Sequence, residues 1–252
     1  MIGPTANALP HALGGITMMN STTIMNQIRR NERFAKVQRA HEVLSAKYGD
    51  VVVAGGCLVD CFFDKDFYDI DCFITVDGLK DEFKKEYTAK GHLKDVLRDE
   101  IDGEAIDIVV VDYSIAEHVN RFDQNFKKIY YDGKLHIRKS AVRDLNNNEI
   151  TVGTFNGTAI FFRCVKSALK YNMKINEEDL FLMYNFLCSQ PENFKLPKKY
   201  EEYRHYFESA PVFSQYLASK VAKISRQYWR PQYKHCTTFS VLKKQLRAKG
   251  IM

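Results

Sequence analysis

The sequence lacks the patterns that stabilise or anchor a protein by means other than a hydrophobic core. Its six cysteines include no CxxC pair and no matching histidine pair, so neither a zinc site nor a disulfide framework is indicated. No stretch is long and apolar enough to span a bilayer. We therefore expect a globular protein of the reducing cytoplasm, with no membrane partner.

Length and charge allow several function classes. The 252 residues can form one large or two small domains. Lys and Arg exceed Asp and Glu by 37 to 31, a mild excess that suits a polyanionic partner without showing one. Residues 1–20 have neither the basic segment nor the apolar core of a signal peptide, and we expect them to form a flexible arm.

Apolar periodicity divides the chain into two parts. It predicts one helix over about 21–48, the strand VVVA, a short helix in CLVDCFF and the strand DIDCFITV. Two hairpins follow, each around an Asp-Gly turn, with the helix SIAEHVNRF between them. From about residue 158 the pattern becomes helical. Residues up to about 150 are thus predicted to mix strands and helices, and the remainder to be helical.

Two aspartates open the strand DIDCFITV. Because side chains alternate along a strand, Asp69 and Asp71 lie on one face and Ile70 on the other. Two like charges side by side require a counter-charge, and Mg²⁺ is commonly held by one or two carboxylates together with substrate phosphates. Gly55 and Gly56, which end the preceding strand, would let backbone N–H groups approach a triphosphate at the start of the next helix.

A third carboxylate, Asp107, is flanked by Ile106 and Ile108 in the later strand EAIDIVVVD. It would complete a site for two Mg²⁺ or Mn²⁺ ions, one activating an attacking hydroxyl and the other stabilising a leaving pyrophosphate. Taken singly, such glycines are most often a turn, and such aspartates are often solvated or at a strand edge. Their combination favours nucleotidyl transfer.

These five residues resemble the signature of the DNA polymerase beta-like nucleotidyltransferase superfamily: two glycines, Asp-hydrophobic-Asp, then a later acidic residue. The closer likeness is to bacterial-type CCA-adding enzymes and poly(A) polymerases, whose GGxVRD, LLGR and DID are similar to GGCLVD, FFDK and DID here. The resemblance covers roughly residues 50–180. It implies an α+β fold, with a small mixed-sheet, palm-like catalytic domain and flanking helices at 21–150. A smaller all-helical domain, similar to the neck and body, would follow at 151–252.

The resemblance also implies nucleotide-binding residues beyond the glycines. Lys65 stands where the family has the Arg of LLGR, and Arg121 and Asp123 belong to a degraded RRDFTINA motif. Arg163 matches the first Arg of the neck segment, and Lys166 substitutes for the second. GGCLVD has a valine where the family has Arg, and the EDxxR motif that templates CTP and ATP is missing. The resemblance therefore leaves the preferred NTP open.

The C-terminal stretch has no acidic residue after Glu208. Its basic residues recur on one broad helical face, with aromatic residues between them: Lys220, Lys223, Arg226 and Arg230, then Tyr228, Trp229 and Tyr233. Such a face can bind a phosphate backbone while the aromatic rings stack on bases. The same pattern also suits a solvated helix with its aromatic residues packed inward.

Three functions are consistent with these patterns. The favoured one is template-independent transfer of a nucleotide from an NTP to an RNA or tRNA 3′ end. The second places the nucleotide on a protein or a small hydroxylated molecule, which fits the short helical part and the missing EDxxR. The third is a non-catalytic nucleotide- or RNA-binding module, disfavoured because all three carboxylates are present.

Overall fold

The computed structural model describes residues 18–84, 93–155, 159–188, 243–244 and 246–252. The helices in this part of the chain are α1 (Ser21–Arg30), α2 (Phe34–Tyr48), α3 (Gly56–Phe63), α4 (Asp81–Lys84), α5 (Ile115–Asn120), α6 (Lys139–Asn147), α7 (Ala159–Tyr171) and α8 (Glu177–Cys188). The strands are β1 (Gly49–Ala54), β2 (Asp69–Leu79), β3 (Leu93–Ile101), β4 (Glu104–Val111), β5 (Ile129–Tyr131), β6 (Leu135–Ile137), β7 (Glu149–Ile150) and β8 (Lys174–Ile175).

Strands β1 to β6 form one mixed sheet in the order β3-β4-β2-β1-β5-β6. Strands β2 and β4 run parallel, and the other neighbours are antiparallel. Both predicted hairpins are confirmed, and each has a glycine with positive φ in its turn, Gly103 at +80° and Gly133 at +95°. A mixed sheet with flanking helices confirms the predicted α+β class.

The main core lies on one face of the sheet, where helices α1, α2, α3 and α7 cover it. The apolar residues of α2 recur every three or four positions, Phe34, Val37, Ala40 and Leu44, and all are buried. A second, smaller apolar cluster on the opposite face contains Val119 of α5. Among the described residues, no helix is long and apolar enough to cross a membrane.

The prediction of a single helix over 21–48 is wrong, because the chain breaks between α1 and α2. Asn31 has extended backbone angles, with φ −73° and ψ 129°. Its side-chain oxygen accepts a hydrogen bond from the Arg33 N–H at 2.9 Å, and its amide donates to Asp64 at 3.0 Å. An Asn side chain that bonds the nearby backbone competes with helix continuation, so a periodic apolar pattern can persist across two separate helices.

The N-terminal end of the described chain is attached to the domain. Residues 1–17 of the predicted arm lie outside the described residues. The backbone of Met19 exchanges two hydrogen bonds with the Asn146 side chain of α6, at 2.6 and 2.7 Å. The Asn20 side chain caps α1 by accepting the Thr23 N–H at 2.9 Å.

The described residues from about 150 onwards include helices α7 and α8, together with a strand pair that the sequence did not reveal. Strand β7, at the predicted domain boundary, pairs in parallel with β8. The last residues of the chain return to this pair, since the Ile175 N–H donates to the Ile251 carbonyl at 3.0 Å. A two-residue strand is too short to show an alternating pattern, which explains why periodicity missed it.

Helix α5 packs on the sheet through an aromatic group around His118. The His118 ring centroid lies 4.3 Å from that of Phe73 and 5.4 Å from that of Phe122. Its Nδ1 is 2.9 Å from the Tyr113 hydroxyl oxygen. Burial, with a smaller contribution from the nearby Arg121, lowers the pKa of His118 to about 4. His118 is therefore neutral at pH 7 and packs as an aromatic ring.

Acidification should destabilise the protein through His118. Its pKa in the folded state is below the ordinary value of 6.5, so its contribution to stability is present above pH 6.5 and is lost as pH falls towards 4. We expect His118→Phe to reduce the loss of unfolding free energy between pH 7 and pH 4 by about 2–3 kcal/mol, measured by urea denaturation. His136→Phe on the edge hairpin is the control. An equal loss in wild type and His118→Phe would contradict the lowered pKa.

Candidate functional site

Three predicted carboxylates lie on one face of the sheet, where β1 ends and where β2 begins. Strand β2 pairs with β4 in a register that sets Asp71 opposite Asp107, with Asp69 two residues earlier in β2. Cross-strand partners project to the same face, so all three carboxylates share one face of the sheet. The alternate residues Ile70 and Ile106 are buried in the main core on the other face.

The three carboxylates differ in exposure. Asp69 is exposed, while Asp71 and Asp107 are half-buried. Arg98 of β3 lies opposite Asp107, with its Nε 3.5 Å from Asp107 Oδ1, and the Arg98 side chain is 85% exposed. An ion pair this exposed contributes at most about 1 kcal/mol, so Arg98 can give way to another cation.

The site fits a hard cation in ligand type and in strand register. Carboxylate oxygens are the ligands that Mg²⁺ and Mn²⁺ prefer, and the pairing of Asp71 with Asp107 brings two of them side by side. Among the described residues, however, no three His, Cys, Asp or Glu side chains stand close enough to hold a metal ion. Ligation would therefore require the carboxylates to rotate about their side-chain bonds.

The two glycines between β1 and α3 have different structural roles. Gly55 has φ +90° and ψ −124°, which only glycine adopts readily, and its N–H donates to the Ile129 carbonyl at 3.0 Å. Gly56 is the first residue of α3, and a Cβ built there meets nothing within 4 Å. The N–H of Gly55 is thus already bonded, and the approach expected for a phosphate falls to Gly56 and the first turn of α3.

Comparison with known proteins finds similar solved structures but no relative. No family model and no curated protein matches the chain. A CCA-adding enzyme in complex with CTP is 16% identical, with a TM-score of 0.47, over 79% of this chain and 51% of that chain. A Thermotoga maritima CCA-adding enzyme complexed with tRNA is 14% identical, with a TM-score of 0.41, over 89% of this chain and 72% of that one.

A Bacillus stearothermophilus CCA-adding enzyme in complex with CTP is 11% identical, with a TM-score of 0.45, over 83% of this chain and 63% of that one. This chain spans about half the length of the first of these proteins. Identities and scores at this level leave the function to be argued from the residues of the site.

Two of the further predicted nucleotide-binding residues form an ion pair. Asp123, which follows α5, lies 2.9 Å from Arg163 of α7, so this pair joins the two predicted domains. Lys166, one helical turn further along α7, is exposed. Arg121 pairs with Glu117 and lies over a tyrosine ring, 4.4 Å from its centroid.

Lys65 lies apart from the glycine turn. It follows the C-terminal end of α3 and is exposed. Helix α3 has eight residues and therefore separates Lys65 from Gly56 by about 12 Å along its axis. Arg33 forms ion pairs with the two neighbours of Lys65, Asp64 at 2.7 Å and Asp66 at 2.8 Å. Lys65 therefore lies in a loop that Arg33 stabilises, at the C-terminal end of α3.

The Asp60 carboxylate links α3 to α7, a role that sequence reasoning missed. It is buried, accepts a hydrogen bond from the Tyr171 hydroxyl at 2.9 Å and pairs with Lys170 Nζ at 2.7 Å. Burial raises the pKa of Asp60, and its two partners oppose that shift. No spacing in the sequence pairs residue 60 with residues 170 and 171, because only tertiary packing brings the two helices together.

The predicted RNA-binding residues Lys220, Lys223, Arg226 and Arg230 lie outside the described residues. Their interpretation as a basic face rests on the sequence alone.

The different roles of the glycines predict opposite effects of alanine. Gly55→Ala should lower the free energy of unfolding by about 1–3 kcal/mol, because its backbone angles are strained for any residue with a Cβ. Gly56→Ala should leave it unchanged or raise it by up to about 1 kcal/mol, because the Cβ enters open space. Chemical denaturation measures both. A large loss of stability in Gly56→Ala would show that Gly56 has a structural role after all.

Proposed function

We propose that this protein is a metal-dependent nucleotidyltransferase that transfers a nucleoside monophosphate from an NTP to an RNA 3′ end such as that of tRNA. The observation that carries the proposal is the register that sets Asp71 opposite Asp107, on the face shared with Asp69. The open start of α3 at Gly56 lies beside these carboxylates, since β1 pairs with β2 immediately before the glycine turn.

The reaction forms one bond and breaks one. The acceptor hydroxyl oxygen attacks the α-phosphorus, the bond between that phosphorus and the bridging oxygen breaks, and pyrophosphate leaves while the hydroxyl loses its proton. Asp69, Asp71 and Asp107 would hold two Mg²⁺ or Mn²⁺ ions, which when bound assist loss of that proton and neutralise the leaving group. Gly56 and the first turn of α3 would orient the phosphates.

The remaining proposed residues concern the nucleotide and the acceptor. We assign Gly55 the shaping of the turn, and Lys65, Arg121, Asp123, Arg163 and Lys166 the binding of the nucleotide. The ion pair between Asp123 and Arg163 supports placing those two residues together. The basic face formed by Lys220, Lys223, Arg226 and Arg230 would bind the RNA backbone.

Replacing any of the three carboxylates should abolish transfer and leave the fold intact. We expect Asp69→Asn, Asp71→Asn and Asp107→Asn each to lower the rate by about 100-fold or more. The assay uses each α-labelled NTP with Mg²⁺ or Mn²⁺, and total cellular RNA and total protein as separate acceptor pools. Asp77→Asn is the matched control, because Asp77 is an exposed residue of the same strand, β2.

The outcomes separate the three functions. Label in RNA supports the proposal, whereas label in protein or in a small molecule points to the second function. Binding of an NTP without label in any pool would point to the non-catalytic module. A wild-type rate of nucleotidyl transfer in any of the three carboxylate variants would contradict the two-metal assignment.

The basic C-terminal face should give RNA binding a strong dependence on salt. Each phosphate contact to single-stranded RNA contributes about −0.7 to the slope of log affinity against log salt concentration. Replacing Lys220, Lys223, Arg226 and Arg230 with Gln should therefore flatten the slope by up to about 3, with NTP binding unchanged.

The control removes the same charge elsewhere, from four exposed residues of the described chain: Arg30, Lys134, Lys139 and Lys174. Fluorescence anisotropy with a labelled RNA, titrated at several salt concentrations, measures both slopes. An equal slope in the tail variant and in wild type would remove the reason to prefer RNA as the acceptor.

A further inference from the structure

The segment between α5 and β5 passes directly beside the glycine turn. At its start, the Phe122 ring lies 3.4 Å from the position that a Cβ on Gly55 would take. At its end, the Ile129 carbonyl accepts the Gly55 N–H at 3.0 Å. Between these two contacts lies a single 3-10 turn, Asn125–Lys127, which packs against α3. The turn is therefore held next to the N-terminal end of α3.

Lys127 brings a positive charge to this place. Its side chain is half-buried, and its Nζ lies 5.6 Å from the centroid of the Phe126 ring. Burial lowers the pKa of Lys127, and the carboxylates of Asp123, Asp60 and Asp71 oppose that shift. The Lys127 ammonium group is thus partly removed from water, within the field of a carboxylate of the candidate site.

Two carboxylates that act on Lys127, those of Asp60 and Asp123, form ion pairs with other cations. Asp60 pairs with Lys170 at 2.7 Å, and Asp123 pairs with Arg163 at 2.9 Å. Within the described part of the chain, no carboxylate lies within ion-pair distance of Lys127. A partly buried ammonium group without a paired anion is costly, and an arriving anion would relieve that cost.

Helix α3 itself can bind a phosphate only through its backbone N–H groups. Its sequence, GCLVDCFF, contains no basic residue, so any side-chain charge for a phosphate at Gly56 has to come from another segment. The 3-10 turn Asn125–Lys127 lies between Phe122 and Ile129, the two residues that contact Gly55. Lys127 is its charged member.

We propose that Lys127 binds the β- and γ-phosphates of the incoming NTP beside Gly56, and so positions the pyrophosphate leaving group. This inference rests on the proposed nucleotidyltransferase function and adds a residue to that site. The ammonium group would act as a point charge with three donors, next to the N–H groups of the first turn of α3. It binds phosphate and takes no part in the proton transfer.

The test separates binding of the phosphates from binding of the nucleobase, because tripolyphosphate has no nucleobase. Inorganic tripolyphosphate, ATP and AMP are titrated into wild type, Lys127→Met and Lys127→Arg by calorimetry in the presence of Mg²⁺. We expect Lys127→Met to weaken tripolyphosphate and ATP by about 10- to 100-fold and AMP by less than about 3-fold, since a charged hydrogen bond is lost only with the terminal phosphates. Lys127→Arg should retain tripolyphosphate binding within about 3-fold, because it keeps the charge.

Lys134→Met is the matched control, because Lys134 is exposed in the β5–β6 turn, beyond the end of β5 that points away from the glycine turn. A second measurement needs no variant. Acylation of wild-type lysines, followed by mass spectrometry, should show that tripolyphosphate slows modification of Lys127 and not of Lys134.

Three results would each overturn the inference. The first is a folded Lys127→Met protein with wild-type affinity for tripolyphosphate. The second is an equal loss of affinity for tripolyphosphate and AMP, and the third is no protection of Lys127 from acylation; either would make Lys127 a structural counter-charge. Failure of the underlying function is distinguishable, because wild type would then show neither binding of tripolyphosphate nor transfer that depends on Asp71.

Discussion

The candidate site depends on one constraint, the register between the parallel strands β2 and β4. That register sets Asp71 opposite Asp107, and a slip of one residue in either strand would turn its carboxylate to the other face. The buried side chains of Ile70, Ile106 and Ile108 hold it, because a slip would turn those of the shifted strand away from the main core. Burial on one face thus positions mutually repelling charges on the other. Arg98, which pairs with Asp107, offsets part of that repulsion.

Helix α3 connects this sheet to the second part of the molecule. At its start, Gly55 turns the chain with backbone angles open only to glycine, so α3 begins directly beside the carboxylates. At its middle, Asp60 bonds Lys170 and Tyr171 of α7 in a buried polar group. Removing one partner from such a buried group strongly destabilises a protein, so the group fixes the relative position of the two helices.

Burial and charge act in opposite directions throughout this region. Burial raises the pKa of Asp60 and lowers the pKa of Lys127, while their charged neighbours oppose both shifts. His118, on the carboxylate face but among aromatic rings, has a pKa lowered to about 4 mainly by burial. Opposite charges nearby thus limit the shifts in pKa of Asp60 and Lys127, whereas His118, among apolar rings, has no such compensation.

The sequence by itself determined the strands of the main sheet, both hairpins and the shared face of Asp69 and Asp71, because alternation and Asp-Gly turns are local properties. It missed the break at Asn31, where a side chain competes with the helix, and β7 with β8, which are too short to carry a period. Only the tertiary structure decided which distant residues meet. The pairing of Asp71 with Asp107 and the attachment of Asp60 to α7 depend on long-range packing, which no local pattern encodes.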